Sequence, residues 1–176
     1  MINGYDYLKK MYPDRDNDDY QPSGLDLRVG RVFALEDDSM ASLHEGEKKL
    51  PSQIELPLMN LFEYGLYDGW VLEPQRPYMF QVQDQIQIGE FNAQFYLPRS
   101  SLLRAGVNVY TALGDLGYNG HLSFLVINHR RGPFFIQQGE RFAQLVDFEV
   151  RGGSIAYDGD YQETLDDWDI QNRIQF

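Results

Sequence analysis

What most limits the folds open to this chain is a series of short segments in which apolar and polar residues alternate, each closed by a turn residue. Tyr78-Met79-Phe80-Gln81-Val82 and Ile86-Gln87-Ile88 alternate, Phe91 to Leu97 is rich in aromatic residues, and Leu122 to Ile127 is an apolar run broken only by Ser123. Phe134-Phe135-Ile136 and Phe142 to Val150 complete the series, with breaks at Gly89, Pro98, Gly120, Gly132-Pro133 and Gly139. Side chains on a strand point alternately to its two faces, so a period of two marks a strand with one face in a core. Leu25 to Leu35 reads the same way. The chain is therefore expected to be mainly β, a distorted jelly roll or β-barrel with one or two short helices.

Two segments carry helical signals. Tyr5 to Tyr12 has apolar residues three and four apart and ends at Pro13. Ser100-Ser101-Leu102-Leu103-Arg104-Ala105 offers a serine N-cap, good helix formers behind it and Gly106 as a stop. The acidic stretch Asp14 to Asp19 is expected to be a solvated loop. Glu36 to Lys49, polar and without strong periodicity, is expected to be an exposed excursion before the chain re-enters the body at Ile54.

Length and charge bound the partners. At 176 residues and 43% hydrophobic content the chain suits one domain, residues 1–176, with a single core. A net charge of −12 argues against a non-specific nucleic-acid or anionic-membrane surface, because polyanions are held by fields of Lys and Arg. A small phosphorylated ligand needs only a local cluster of donors. Without cysteine there is neither a disulfide nor a thiol nucleophile. No apolar run approaches the roughly 18 residues of a membrane span, and Met1 to Tyr20 does not read as a secretory signal, so a soluble, cytoplasmic protein is expected.

Four segments carry candidate chemistry. In Pro98-Arg99-Ser100-Ser101-Leu102-Leu103-Arg104, a helix start with hydroxyls and guanidinium groups beside it presents donors suited to phosphate oxygens; the alternative is a capping serine with surface arginines. Asp115, in the glycine-punctuated loop Ala112 to Gly120, is suited to deprotonating a water; it also suits an ordinary turn. Gln21 to Leu27 and Gly139 to Leu145 are ambiguous alone. Asp26 reads as a turn carboxylate and Arg141 as a surface charge, whereas Gln144 is unusual in an apolar strand because a buried amide needs partners.

In this order and spacing the four segments resemble the dUTPase and dCTP deaminase superfamily, from about Gln21 to Val150, leaving residues 151–176 as a tail. The pieces are Ser23-Gly24-Leu25-Asp26-Leu27, Pro98-Arg99-Ser100-Ser101-Leu102, Asp115-x-Gly117-Tyr118-x-Gly120 and Gly139-Glu140-Arg141-x-Ala143-Gln144-Leu145. The resemblance implies a jelly-roll homotrimer of the dUTPase type, with active sites between subunits. Arg99 and Ser100, within a segment that also holds Ser101 and Arg104, would grip the triphosphate, with Gln144 at the same end and Mg²⁺ held mainly by phosphates and water. Asp115 matches the water-activating aspartate, and Tyr118 the tyrosine that packs on the deoxyribose and leaves no space for a 2′-hydroxyl. The hairpin from Val109 to Tyr118 would face the uracil edge.

The superfamily divides on one position. Deaminases resemble Gly-His-x-x-Leu-Glu-x-x-Asn after the aspartate loop, the Glu moving protons at C4 of the pyrimidine. Here the stretch reads Gly120-His121-Leu122-Ser123-Phe124-Leu125-Val126-Ile127-Asn128, with Leu125 in the Glu position. Leucine cannot transfer a proton, so the resemblance implies a dUTP diphosphatase; the alternatives are a dCTP deaminase, possibly bifunctional, or a silent nucleotide-binding regulator on the same fold. His121 is expected to be an ordinary strand-end residue. Arg99-Ser100-Ser101, where most trimeric dUTPases resemble Arg-Ser-Gly, places the chain nearer the archaeal-type dUTPases of the deaminase branch. The tail Tyr157-Asp158-Gly159-Asp160-Tyr161-Gln162 resembles that branch's shorter tail, whose folding over the site would bring Tyr161 to the nucleotide.

Overall fold

The protein is described here in a computed structural model covering residues 2–36, 41–44, 47–62, 65, 67–152 and 155–159. Helix α1 (Tyr5–Met11) leads through a 3-10 turn (Asn17–Asp19) into β1 (Tyr20–Gln21) and the long β2 (Gly24–Leu35). Then come β3 (Ser42–His44), β4 (Glu47–Lys49), β5 (Gln53–Glu55), β6 (Gly69–Leu72), β7 (Pro77–Val82), β8 (Ile86–Gln87) and β9 (Asn92–Pro98). Helix α2 (Ser100–Ala105) separates β9 from β10 (Val107–Tyr110), which is followed by β11 (Asn119–Gly120), β12 (Ser123–Asn128), β13 (Phe134–Gln137) and β14 (Arg141–Glu149). The main sheet runs β10-β12-β7-β2-β14-β9, with β1 and β5 paired to β2; β11-β8, β13-β6 and β3-β4 form short ladders. Every pairing between these strands is antiparallel.

Burial alternates along the strands, even in β12, whose sequence is mostly apolar. In β12, Phe124, Val126 and Asn128 are buried while Ser123, Leu125 and Ile127 are half-buried on the other face. Phe80, Phe124 and Phe142 meet in the core, with ring centroids 5.5 Å apart for Phe80–Phe142 and 6.0 Å for Phe124–Phe142. Long β2 bends through its register shift between Val29 and Arg31, letting one strand pair with β14 at one end and β7 at the other.

Three expectations need correction. The excursion after Glu36 contains the small hairpin β3-β4, since Ser42 to His44 pairs with Glu47 to Lys49. The packed body begins before Gln21: Leu8, Tyr12 and Tyr20 are buried in the core, and the backbone N–H of Asn3 donates to the carbonyl of Asp147 at 2.9 Å. The N-cap of α2 is Arg99, with no side-chain cap bond, so neither serine closes that helix start. Gly106 stops α2 as expected, in the left-handed region at φ 78°.

Candidate functional site

Three of the four segments meet on one face. Because β2, β14 and β9 are neighbours, the register sets Gln144 opposite both Asp26 and Leu97. Arg99 follows β9 directly, and its Nη1 lies 3.4 Å from Oδ2 of Asp26; Nη1 of Arg141 lies 3.5 Å from the same oxygen. Asp26 is 2% exposed and sits within a strand, so it is not the turn carboxylate the sequence suggests. Burial pushes its carboxyl above the ordinary carboxylate range, while Arg99 and then Arg141 pull it back. Oδ2 accepts no well-formed hydrogen bond. Its two guanidinium neighbours are thus held close yet keep N–H groups for a further acceptor.

Gly24 keeps this face open to Gln144. A Cβ there would lie 2.3 Å from the carbonyl oxygen of Leu145 and 3.1 Å from Cγ of Gln144, so the glutamine occupies the space a side chain would take. Ser100, Ser101 and Arg104 are exposed at the start and on the surface of α2, whose buried residue is Leu102.

Asp115 and Tyr118 lie elsewhere. The segment after β10 runs back along the free edge of β9: Thr111 Oγ1 donates to the carbonyl of Tyr96 at 2.7 Å, and Gly114 exchanges both backbone hydrogen bonds with Gln94. Asp115 follows, exposed, and its carbonyl accepts the N–H of Tyr118 at 3.2 Å to close a turn. Tyr118 is buried; its hydroxyl donates to the carbonyl of His121 at 3.1 Å and its ring meets Tyr157 edge-on at 5.8 Å. The tail is tied to this loop by the N–H of Tyr157 donating to the carbonyl of Leu116 at 2.7 Å. Tyr161 lies outside the described residues.

The separation of the two clusters follows from strand geometry. Gln94, beside Gly114, and Arg99 are five residues apart along one extended segment, so at ~3.3 Å per residue they stand about 17 Å apart. One chain thus presents the candidate phosphate donors just past the end of β9 and the candidate base beside its N-terminal half.

Leu125 is half-buried in β12, paired with Tyr110 on one side and Met79 on the other. His121 Nδ1 is hydrogen-bonded to the carbonyl of Val82 at 3.2 Å. Among the described residues no three His, Asp or Glu side chains gather in a way that could hold a metal ion, and no helix is long and apolar enough to cross a membrane.

Sequence reasoning left Asp26 and Arg141 out of the candidate set. The one signal for Asp26 is a carboxylate between two leucines at the start of a strand pattern; pairing with arginines 73 and 115 positions away leaves no local trace.

Comparison with known proteins shows the family of the chain and its fold. A family model described as dCTP deaminase-like matches residues 8–150. A probable deoxyuridine 5′-triphosphate nucleotidohydrolase of Methanopyrus kandleri is 41% identical over 162 residues, covering 92% of this chain and 99% of that protein. One of the same description from Methanothermobacter thermautotrophicus is 41% identical over 163 residues, covering 93% of this chain and all of that one. Among solved structures, the 2′-deoxycytidine 5′-triphosphate deaminase of Agrobacterium tumefaciens superposes with a TM-score of 0.62 at 19% identity, over 83% of this chain. The chain spans 47% of that longer protein, and the likeness shows a shared fold.

Proposed function

The chain belongs to the dCTP deaminase-like family, and on that premise we propose that it is a dUTP diphosphatase, splitting dUTP into dUMP and pyrophosphate. The observation that carries the reading is the pairing of an intact Asp115 loop and Arg99 segment with Leu125 where a deaminase needs a glutamate. Deamination at C4 requires a group that gives and takes protons beside the exocyclic amine, and a leucine side chain has none. Hydrolysis asks nothing of that position.

Arg99, Ser100, Ser101 and Gln144, with Arg104 on the same short helix, hold the triphosphate through charge-assisted and neutral hydrogen bonds. Asp26 positions the guanidinium groups of Arg99 and Arg141 from behind. Asp115 takes a proton from the attacking water as its oxygen bonds to phosphorus, and the bond to the departing pyrophosphate breaks. Tyr118 lies against the sugar and leaves no space for a 2′-hydroxyl. Mg²⁺ would be held mainly by phosphate oxygens and water, with Arg99, Ser100 and Gln144 on the same triphosphate. When bound, that ion neutralises charge on the phosphates.

The active unit is a homotrimer. About 17 Å of extended strand separates Arg99 from Gln94 beside the Asp115 loop, beyond what an arginine side chain spans, and this favours a site in which the Asp115 loop of one copy completes the Arg99 face of another. The whole chain acts as one dUTPase-like domain in the cytoplasm, without nucleic-acid or membrane partners.

The test is to supply purified protein with Mg²⁺ and each deoxynucleoside triphosphate in turn, following pyrophosphate and ammonia. Pyrophosphate from dUTP with no ammonia from dCTP is expected. Ammonia from dCTP would overturn the division drawn at Leu125.

A further inference from the structure

The inner face of β9 and β14 carries polar groups where a core strand would be apolar. Gln94 is 1% exposed and Asp147 2% exposed. Their side chains are joined: Gln94 Nε2 donates to Asp147 Oδ2 at 3.0 Å and to Tyr12 Oη at 3.1 Å, while Gln94 Oε1 accepts the Tyr96 hydroxyl at 2.9 Å. The other carboxylate oxygen, Oδ1, accepts from Asn3 Nδ2 and Asn92 Nδ2, both at 2.6 Å. Tyr12 Oη in turn donates to the carbonyl of Gln87 at 2.8 Å. Among the described residues no Lys or Arg is ion-paired with Asp147, so neutral amides alone satisfy a buried carboxylate. Such a group is destabilising unless its partners are all in place, which makes the network rigid or broken and nothing between.

This network lies behind one contact. The backbone of Gln94 exchanges hydrogen bonds of 2.8 and 3.0 Å with Gly114, the residue before Asp115. The Tyr96 hydroxyl bound to Gln94 fills the space over Gly114, standing 2.3 Å from where a Cβ would be. Nothing else in the described residues ties the backbone of the Asp115 loop to the free edge of β9 through a ladder pair.

We propose that Gln94 is a positioning residue: locked by Asp147, Tyr12 and Tyr96, it fixes Gly114 and thereby sets where the Asp115 carboxylate meets the attacking water. The proposal rests on the dUTP diphosphatase reading. Its consequence is that α1, through Tyr12, and the N-terminal Asn3 act on the reaction without touching substrate. A displacement near 1 Å of a catalytic group lowers rate by up to ~10²-fold, whereas binding carried by Arg99 and Gln144 is made elsewhere.

The experiment compares the full-length protein with Gln94→Met, which keeps length and removes the hydrogen bonds, and with Tyr96→Phe, which removes one hydroxyl. Three quantities are read: hydrogen exchange at the Gly114 amide, kcat and KM for dUTP with Mg²⁺, and affinity for an α,β-imido analogue of dUTP. Expected are faster exchange at Gly114 and a fall in kcat of about tenfold or more in Gln94→Met. KM and analogue affinity should stay within about threefold, and Tyr96→Phe should move the same way by less. Should Gln94→Met not fold, Tyr96→Phe carries the same readouts. Unchanged exchange at Gly114, or faster exchange with native kcat, overturns the proposal. An inactive native protein overturns the dUTPase reading instead, and exchange at Gly114 then still decides whether Gln94 fixes the loop.

Discussion

A carboxylate serves as a base only where it can hold a water against its target, and Asp115 sits in an exposed turn backed by the fixed Gly114 pair. Asp115→Asn keeps the size of the side chain but removes the proton acceptor. It should lower kcat by ~10²–10⁴-fold in a pyrophosphate-release assay while affinity for an imido analogue persists. A variant with native turnover would remove Asp115 from the reaction. Asp26 gives a second expectation, in stability. Its folded proton affinity is raised by burial, so the folded state binds that proton more tightly than the unfolded chain. Asp26 therefore favours folding at low pH, and that contribution is lost as pH rises from the ordinary carboxylate range through the raised value. Urea unfolding of the native protein and Asp26→Asn across that window should show the native minus variant difference falling as pH rises; a flat difference would contradict the burial argument. The candidate residues Asp115, Arg99 and Gln144 stand out in the sequence because they lie in short motifs. Their supports do not: Gln94 and Asp147 read as ordinary polar positions until partners 82 and 55 residues away, Tyr12 and Asn92, are brought beside them.

At the scale of elements, the site depends on how closely β2 lies on β14. Gly24→Ala would drive a Cβ into the Leu145 carbonyl and against Gln144, so the strands must part or the glutamine must move. Overpacking of this kind destabilises by about 1–3 kcal/mol, and because Gln144 is displaced the variant should also show a raised KM for dUTP. Gly106→Ala, which forces a side chain into the left-handed region at the end of α2, should cost about 1–2 kcal/mol in urea unfolding and leave KM near native, since Gly106 lies at the end of α2 away from Ser100. Equal effects on KM would mean that α2 as a whole, not the β2-β14 face, holds the phosphates. Most of these elements were visible in the sequence, since β7 and β14 mix apolar and polar residues as half-buried strands do, β12 is an apolar run between turn residues, and α2 is bounded by its punctuation. Gly69-Trp70-Val71-Leu72 was missed as β6 because four residues are too few to show a period, and its partner β13 lies more than sixty residues on. The β3-β4 hairpin was read as an excursion for a related reason: its strands are three residues long, Ser42, Leu43, Lys48 and Lys49 are exposed, and such strands carry no apolar signature.

For the whole molecule, the outer face of the sheet's edge is the surface that the proposed trimer would cover. Phe95 and Leu97 on β9 are 53% and 52% exposed, and Phe95 stacks on Phe148 of β14 at 4.9 Å. An exposed apolar stripe on an edge strand is ordinarily covered, and this one adjoins the Arg99 and Gln144 cluster, which in the proposed trimer takes its base from another copy. Covering the stripe with a neighbour would both remove it from water and supply the missing Asp115, so association and activity become one event. Subunit complementation separates this arrangement from a site within one chain. Asp115→Asn and Arg99→Ala are each expected to be nearly inactive alone. Refolded together from denaturant in equal amounts, they should form trimers in which about a quarter of sites draw Arg99 from one variant and Asp115 from the other, and turnover should recover to about that fraction. Within a single chain no mixture can assemble an intact site, so an inactive mixture of folded, trimeric variants would place both residues in the same subunit. Leu97→Asp, a charge on the covered stripe, should shift sedimentation toward monomer and lose turnover in parallel. A monomer that keeps native kcat would show that the stripe and the site are unrelated.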